Sequence, residues 1–210
     1  MMQLDVRVRR IKRRNIKKLV KAFGEERLLR DRLGRQQNDK GVLFAAWLGR
    51  EVVGMMYLWL EQAEEKAIFD NLGNVPLLMQ LEVLPDKRSC GIGRQLIAAA
   101  EDELRSRGNH KQVALAVRTD NKRAIRMYEQ IDFAHWKHGI VVCNAHGTYE
   151  PEECFVMVKD LTPDMVEKPR QVLEESDQRA SSVWAALTLR KPGRDDVNDQ
   201  REPVGAARPN

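Results

Sequence analysis

The segment from residue 81 to residue 94 constrains the fold of this chain more than any other. It reads Leu-Glu-Val-Leu-Pro-Asp-Lys-Arg-Ser-Cys-Gly-Ile-Gly-Arg, and it joins an apolar run over residues 76–84 to a helical pattern over residues 91–107. A strand that passes through a glycine-containing loop directly into a helix points several backbone N–H groups at one spot, where the helix dipole adds positive potential. Gly91 and Gly93 remove side chains that would hold an anion away from the backbone. The segment therefore predicts a diphosphate site at the start of this helix.

The apolar pattern of the whole chain predicts an α/β (α+β) architecture, in which helices pack on a sheet. Alternation or continuous apolar runs favour strands over residues 4–8, 42–48, 51–60, 76–84, 113–117, 133–142 and 154–161. Apolar residues at helical spacing favour helices over residues 9–23, 25–33, 91–107 and 121–130. Residues 34–41 and 61–74 are interpreted as loops because they are charged or rich in turn-forming residues.

The composition of the chain changes near residue 161. Residues 162–210 are rich in charges of both signs, Pro, Ser and Gln, and their one apolar patch, residues 183–189, is too short to build a core. We therefore predict a single domain over residues 1–161 and a largely disordered polar tail over residues 162–210.

The cysteine content and the length of the apolar segments indicate the cellular compartment. Three scattered cysteines, Cys90, Cys143 and Cys154, are too few for a disulfide framework, which suits a reducing environment. No apolar run approaches the roughly 20 residues that span a bilayer, and the N-terminal residues lack the apolar core of a signal peptide. We expect a cytoplasmic protein with no membrane partner.

The spacing of the glycines separates this loop from two common phosphate-binding loops. Leu96 stands where a dinucleotide fingerprint needs its third glycine, and no Gly-Lys-Ser/Thr sequence is present. Arg88, Gly91 and Gly93 instead match the acetyl-CoA signature of the GNAT superfamily of N-acetyltransferases: Gln or Arg, two residues, Gly, one residue, then Gly or Ala. The preceding strand ends in Val-Leu-Pro, which also resembles that family.

A second stretch strengthens the resemblance. Asn121, Ala124, Tyr128 and Phe133 are spaced as in the second motif of the family, about thirty residues after the first. The resemblance covers roughly residues 3–161 and extends to bacterial GNAT-domain proteins. It implies a mixed, mostly antiparallel sheet of about seven strands, about four flanking helices, and a splayed strand pair that holds acyl-CoA.

The resemblance also implies a cofactor site without a metal, in which acetyl-CoA serves as acyl donor. The backbone around Val83 would pair with the pantetheine amides, and the N–H groups of the loop would bind the pyrophosphate. The cofactor-binding residues implied in this way are Leu81, Val83, Arg88, Ser89, Cys90, Gly91, Ile92, Gly93, Arg94, Gln95, Asn121, Ala124 and Tyr128.

Two side chains are candidates for acid–base chemistry. An alkyl ammonium with a pKa near ~10 must lose a proton before it attacks a thioester, and Glu82 is our candidate base. Glu82 could alternatively anchor a substrate cation or form a structural ion pair. Tyr128 shares a helix face with Asn121 and Ala124, and it is our candidate acid for the leaving thiolate, although it could simply pack. Asn121 could contact the cofactor, cap the helix, or do both.

A zinc site is a weaker interpretation of His135, His138, Cys143 and His146. Residues 135 and 138 point to opposite faces of a strand, and the two pairs lie too close together in sequence. We therefore predict no metal.

The sequence leaves three functions open. The favoured one is transfer of an acetyl group to a primary amine of a small molecule or peptide, by direct attack on the thioester. The second is an acyl-CoA-binding or regulatory module without turnover. The third is nucleic-acid binding through residues 9–21, which hold eight basic residues and no acidic one. These residues include no interleaved aromatic side chain that could stack on a base, which argues against this function. A homodimer also remains open.

Overall fold

The computed structural model describes residues 5–144 and 151–161. The predicted tail over residues 162–210 and the candidate ligand His146 lie outside the described residues. The described residues form seven strands, namely β1 (Val6–Arg10), β2 (Gly41–Leu48), β3 (Glu51–Trp59), β4 (Leu77–Val83), β5 (Gln112–Arg118), β6 (Ala134–Asn144) and β7 (Pro151–Asp160). The α-helices of the described residues are α1 (Ile16–Phe23), α2 (Glu26–Gln37), α3 (Lys66–Leu72), α4 (Ile92–Arg107) and α5 (Lys122–Glu129).

The seven strands form one mixed sheet in the order β1-β2-β3-β4-β5-β7-β6. Strands β4 and β5 are parallel, and the other neighbouring pairs are antiparallel. This arrangement confirms the predicted α/β (α+β) class and its mostly antiparallel sheet. Along the described ranges, no helix combines the length and apolar character that crossing a membrane requires.

Helices cover both faces of the sheet because successive strand residues point to opposite sides. On one face, Leu19, Leu29 and Ile68 bring α1, α2 and α3 into a buried cluster that includes Leu43 of β2. On the other face, α4 and α5 join a second buried cluster, which includes the next β2 residue, Phe44. The core is therefore two layers of side chains with the sheet between them.

Two predicted loops are partly helical. Helix α3 forms within residues 61–74, so this prediction was wrong there, and the described part of the chain has five α-helices rather than about four. Its seven residues are too few to show a helical period, and burial of Ile68 holds it in place. Helix α2 continues to Gln37 through part of the loop predicted over residues 34–41. The Gln36 amide donates to the Ile11 carbonyl and accepts from Leu43 N, both at 2.9 Å, and these tertiary bonds hold the last turn.

Strand β4 carries one extra residue at its centre. Met55 of β3 is paired with Glu82, whereas Tyr57 is paired with Met79, so one residue of β3 lies opposite two residues of β4 between these pairs. Gln80 takes up the extra length with φ of 52°. The bulge lies between the start of β4, which also pairs with β5, and the end of β4 that leads into the glycine loop. It bends the strand there.

The neighbouring pair β4 and β5 is splayed, as predicted. Leu77 pairs with Ala114, and Ala114 N donates to the Pro76 carbonyl at 2.9 Å. Strand β5 instead pairs along its whole length with β7. The C-terminal half of β4 therefore faces a gap in the sheet.

Candidate functional site

The gap between β4 and β5 opens into a cleft of about 1310 Å³. Its walls come from β4, the loop and first turn of α4, the inner face of α5, and the ends of β5 and β7. This volume exceeds the usual range for small-molecule sites of roughly 300–1,000 Å³, so the cleft has room for a long ligand and a second reactant.

Six consecutive residues with unpaired backbone N–H groups, residues 89–94, line one end of this cleft. Within the described chain, the amides of residues 89–94 donate to no backbone carbonyl. Gly91 has φ of 78° and Ser89 has φ of 65°, and left-handed residues of this kind allow successive amides to converge on an anion. Four unpaired amides are normal at a helix start, and the loop here adds two more. The arrangement is suited to an extended anion such as a diphosphate.

Arginine side chains surround these amides. Arg88 Nε donates to the Val83 carbonyl at 3.1 Å, and Arg123 donates to Ser89 Oγ at 2.8 Å. Arg94 hydrogen-bonds the Gln130 amide oxygen across to α5. Arg123 was missed in the sequence, although its place next to Ala124 in the second motif put it on the helix that faces the loop.

Tyr128 lies on the inner face of α5 and is only 8% exposed. Its ring packs against Phe133 with a centroid separation of 5.9 Å, and it also lines the cleft. Among the described residues, its hydroxyl has no hydrogen-bond partner. Burial raises the pKa of Tyr128 to about 12, so the phenol stays protonated throughout the physiological range.

The N-terminus of α5 is held by Asn121. Its side-chain oxygen accepts from Ala124 N at 3.1 Å, which is the capping role considered from the sequence. Asn121 and Ala124 both line the cleft. The cap therefore positions the helix face that carries Tyr128.

Glu82 lines the cleft from β4. Partial burial raises its pKa above the ordinary glutamate value, and the negative charge of Glu25 raises it further, while Arg88 opposes the shift. A carboxylate with a raised pKa is a stronger base, as a proton acceptor from an ammonium requires. Glu25 was missed in the sequence because it lies in the turn between α1 and α2, far from any motif.

The floor of the cleft includes groups that the sequence did not assign. Cys143 of β6 and Cys154 of β7 are buried there, and burial raises the pKa of both thiols. Glu65 and Glu152 line the same region. Arg118 donates to Glu152 at 3.1 Å.

The structure brings nearly all of the predicted site residues together. Each candidate from Leu81 to Arg94 lines the cleft, as do Asn121, Ala124 and Tyr128. Gln95 does not line it, and its amide donates to the Gly91 carbonyl at 3.1 Å within the first turn of α4. Along the ranges 5–144 and 151–161, no three His, Cys, Asp or Glu side chains are grouped to hold a metal ion.

The basic segment over residues 9–21 lies outside the cleft. Ile16 and Leu19 turn into the core, while Lys17 and Lys18 stay exposed on the opposite side of α1. Lys18 Nζ lies 5.5 Å from the centre of the Trp47 ring. A nucleic-acid role for this face stays a prediction.

Comparisons with known proteins agree with this geometry. The profile of the acetyltransferase (GNAT) family matches residues 12–133, which is 122 of 210 residues. Over 52 residues the chain is 42% identical to mycothiol acetyltransferase from Saccharopolyspora erythraea, a match that covers 25% of this chain and 17% of that protein. The chain thus spans only a small part of this curated relative.

Solved structures share the fold at low sequence identity. The ribosomal-protein-S18-alanine N-acetyltransferase from Escherichia coli aligns with 74% of this chain and 94% of its own, at 17% identity and a TM-score of 0.56. The PaiA N-acetyltransferase from Thermoplasma acidophilum, solved in complex with coenzyme A, aligns with 74% and 99% at 15% identity and a TM-score of 0.54. Because the family profile covers more than half of the sequence and the sheet carries the expected splay, this chain belongs to the acetyltransferase (GNAT) family, whose general activity is acyl transfer.

Proposed function

We propose that the protein transfers an acetyl group from acetyl-CoA to a primary amine by direct attack of the amine on the thioester. The observation that carries this proposal is that the residues with six unpaired amides, Glu82 and the buried Tyr128 all line one cleft between two splayed strands. A diphosphate site at one end and acid–base groups beyond it suit a cofactor whose reactive sulfur lies far from its phosphates.

The residues present fit coenzyme A. The amides of residues 89–94, with Arg88 and Arg123 beside them, would hold the pyrophosphate. The open edge of β4 near Val83 would pair with the pantetheine amides. The Val83 carbonyl accepts a hydrogen bond from Arg88. When bound, acetyl-CoA supplies an activated acyl group.

Glu82 receives the first proton from the acceptor ammonium, directly or through a water molecule. Its raised pKa brings it closer to that of the amine, which reduces the free energy needed for the transfer. The neutral nitrogen then forms the new C–N bond as the C–S bond breaks. The nitrogen gives up a second proton, the sulfur takes one, and so one proton is released to solvent in the complete reaction.

Tyr128 provides a hydroxyl that can donate a hydrogen bond to the leaving sulfur. Since burial raises its pKa to about 12, full transfer of its proton to a thiolate of pKa ~8.5 costs roughly 5 kcal/mol. We therefore assign Tyr128 as a hydrogen-bond donor to the developing thiolate. The proton that the sulfur takes up comes from solvent. This refines the acid role expected from the sequence.

The test is release of free thiol from acetyl-CoA in the presence of a panel of primary amines, with mass spectrometry of each product. We expect amine-dependent thiol release and a product heavier than its amine by one acetyl group. Calorimetry with acetyl-CoA on the same sample provides the control. Binding without thiol release from any amine would support the module without turnover, and no binding at all would remove the cofactor assignment.

A further inference from the structure

The first strand and the first helix carry an uninterrupted series of cations. No acidic residue occurs between Asp5 and Glu25, whereas nine basic residues do. Two of the nine, Arg7 and Arg10, pair with Asp5 and Glu103. The other seven are exposed and form no ion pair with any side chain that the structure describes. We call these seven residues the basic face: Arg9, Lys12, Arg13, Arg14, Lys17, Lys18 and Lys21.

Strand alternation and helix packing bring these cations to one side of the sheet. Val6 and Val8 of β1 pack against the buried cluster on the α4 side, so Arg9 points to the opposite side. Helix α1 covers that opposite side, because Ile16 and Leu19 belong to the buried cluster there. The edge strand β1 and the exposed side of α1 therefore form one continuous basic surface.

Trp47 of β2 joins the two elements. It is the register partner of Arg7 on β1, and Lys18 Nζ on α1 lies 5.5 Å from the centre of its ring. Lys18 Nζ also donates to the Arg50 carbonyl at 3.4 Å. A ring face and a carbonyl orient an ammonium group without neutralising its charge. Lys18 therefore contributes a full positive charge beside the strand.

The cations of the basic face repel one another because no carboxylate is interspersed among them. Lys17 and Lys21 lie one helical turn apart on α1, where like charges destabilise a helix slightly. Uncompensated charge of one sign also raises the local potential and attracts ligands of the opposite sign. The surface is complementary to a partner with closely spaced negative charges.

The absence of apolar anchors indicates which polyanion fits. The apolar residues Ile16 and Leu19 of α1 are buried in the core, so they are not available to enter a bilayer. In the described part of the chain, the large exposed apolar side chains are Ile140 and Val142 on β6, at the other edge of the sheet. Protein interfaces need an apolar or aromatic core, whereas nucleic-acid interfaces are polar and strongly positive. The basic face matches the second kind.

The same residues distinguish among nucleic acids. The Trp47 ring is partly buried and has Lys18 above it, so it offers no free platform on which a single-stranded base could stack. Asn15 carries the one side-chain oxygen between Val6 and Lys21, which leaves few acceptors for the 2′-hydroxyl groups of double-stranded RNA. Contacts from lysine and arginine to phosphates need neither feature.

We propose that the basic face binds the phosphate backbone of double-stranded DNA without reading its sequence. This activity goes beyond the proposed acyl transfer and does not depend on it. The interaction is electrostatic, so its affinity is set by the number of phosphates that the lysines and arginines neutralise.

The test measures the fluorescence anisotropy of a labelled DNA duplex of about 20 base pairs with the full-length protein, over a range of salt concentrations. We expect a Kd of about 1–100 μM near physiological salt, and tighter binding as the salt concentration falls. The logarithm of the association constant should fall linearly with the logarithm of the salt concentration, by about 0.9 for each phosphate contact. No binding at ~50 mM salt would overturn the proposal.

Matched double variants separate the basic face from net charge. Lys17→Gln/Lys21→Gln removes two charges from α1 and keeps its helix propensity, since glutamine and lysine form helices about equally well. Lys111→Gln/Lys137→Gln removes two exposed charges before β5 and on β6. The first variant should reduce the salt slope by about two and raise the Kd about tenfold or more, and the second should stay within about twofold of wild type. Equal weakening in both would overturn the basic face as the site.

Competition tests the choice of partner. Unlabelled duplex DNA should displace the labelled duplex more effectively, at equal charge concentration, than single-stranded DNA, double-stranded RNA, polyglutamate or phosphatidylserine vesicles. Any of these that competes better than duplex DNA would replace DNA as the partner and overturn the proposal. Saturating acetyl-CoA should leave the Kd of the duplex within about twofold, because none of the seven cations lines the cleft. Displacement by acetyl-CoA would place the DNA on the arginines of the cleft and overturn the basic face.

Discussion

Leu77 on β4 and Ala114 on β5 are partners in parallel register, and beyond them the two strands separate. The separation leaves the end of β4 facing a cleft instead of a neighbouring strand. It also sets the start of α4 opposite the inner face of α5, so that the loop amides and Tyr128 line the same space. A sheet paired along the full length of β4 would have no such cleft.

Gly91→Glu tests the amide site. Gly91 has φ of 78° and open space around an added Cβ, so Gly91→Ala introduces backbone strain of about 1 kcal/mol without a clash. Gly91→Glu adds the same strain together with a carboxylate beside the amides. We expect Gly91→Glu to weaken acetyl-CoA binding about a hundredfold relative to Gly91→Ala, or about 3 kcal/mol, as measured by calorimetry. Equal dissociation constants for the two variants would contradict the placement of the diphosphate.

Tyr128→Phe tests the hydrogen bond to the leaving sulfur. We expect kcat to fall by about tenfold to a hundredfold while the Kd of acetyl-CoA stays within about twofold, because the hydroxyl acts when charge develops on sulfur. Since the pKa of Tyr128 is raised to about 12, its deprotonation should not limit kcat at any pH below that value. Pre-steady-state thiol release on both proteins measures the effect, and an unchanged kcat would remove Tyr128 from the reaction.

The raised pKa of Glu82 predicts the acid side of the pH profile. kcat/KM should fall as the pH drops through that pKa, because the base becomes protonated. Glu25→Gln removes the neighbouring negative charge, so it lowers the Glu82 pKa and moves the acid limb to lower pH. Glu26→Gln is the control, since Glu26 pairs with Arg30 on the outer surface, and it should leave the limb in place.

The raised pKa of Glu82 also predicts how the free energy of unfolding depends on pH. A carboxyl group with a raised pKa in the folded protein binds its proton more tightly there, so ionised Glu82 destabilises the fold near neutral pH. Glu82→Gln should therefore unfold at a higher denaturant concentration at neutral pH, and the difference should close below the ordinary glutamate pKa. A Glu82→Gln variant that is less stable at neutral pH would indicate a structural ion pair instead.

The contact between Gly41 and Tyr57 predicts a pair of stability effects. The Tyr57 hydroxyl is buried without a hydrogen-bond partner in the described residues, and burial raises its pKa to about 12. A Cβ at position 41 would overlap that hydroxyl and lie 2.7 Å from the Leu58 carbonyl oxygen. Gly41→Ala should lower the free energy of unfolding by about 2 kcal/mol or more, whereas Tyr57→Phe should leave it unchanged or raise it by about 1 kcal/mol.

A double-mutant cycle checks the same contact. Because Tyr57→Phe removes the nearest clashing atom, Gly41→Ala should cost less in that background. Urea unfolding of the four proteins measures the coupling. Fully additive effects would show that the two side chains do not meet.

The local patterns of the sequence were sufficient for the strands, the long helix α4 and the loop before it. Alternation and helical spacing report which face of an element is buried, and glycines mark the backbone turn at Gly91. Helix α3 and the last turn of α2 escaped prediction because contacts distant in sequence hold them, such as the Gln36 bonds to Ile11 and Leu43. The motif position of Gln95 placed it among the predicted binding residues. That position carries no information about its amide, which donates to the Gly91 carbonyl.

By itself, the sequence determined the convergent amides at the start of α4 and the positions of Glu82 and Tyr128, because neighbouring residues set the geometry of a turn and of a helix face. Only the tertiary structure decided that Glu25, Glu65 and Glu152 line the same cleft. These three residues lie far apart in the chain, and their approach depends on sheet register and helix packing. Electrostatic interactions act through space, so charges that come together in one cleft leave no periodic signal along the chain.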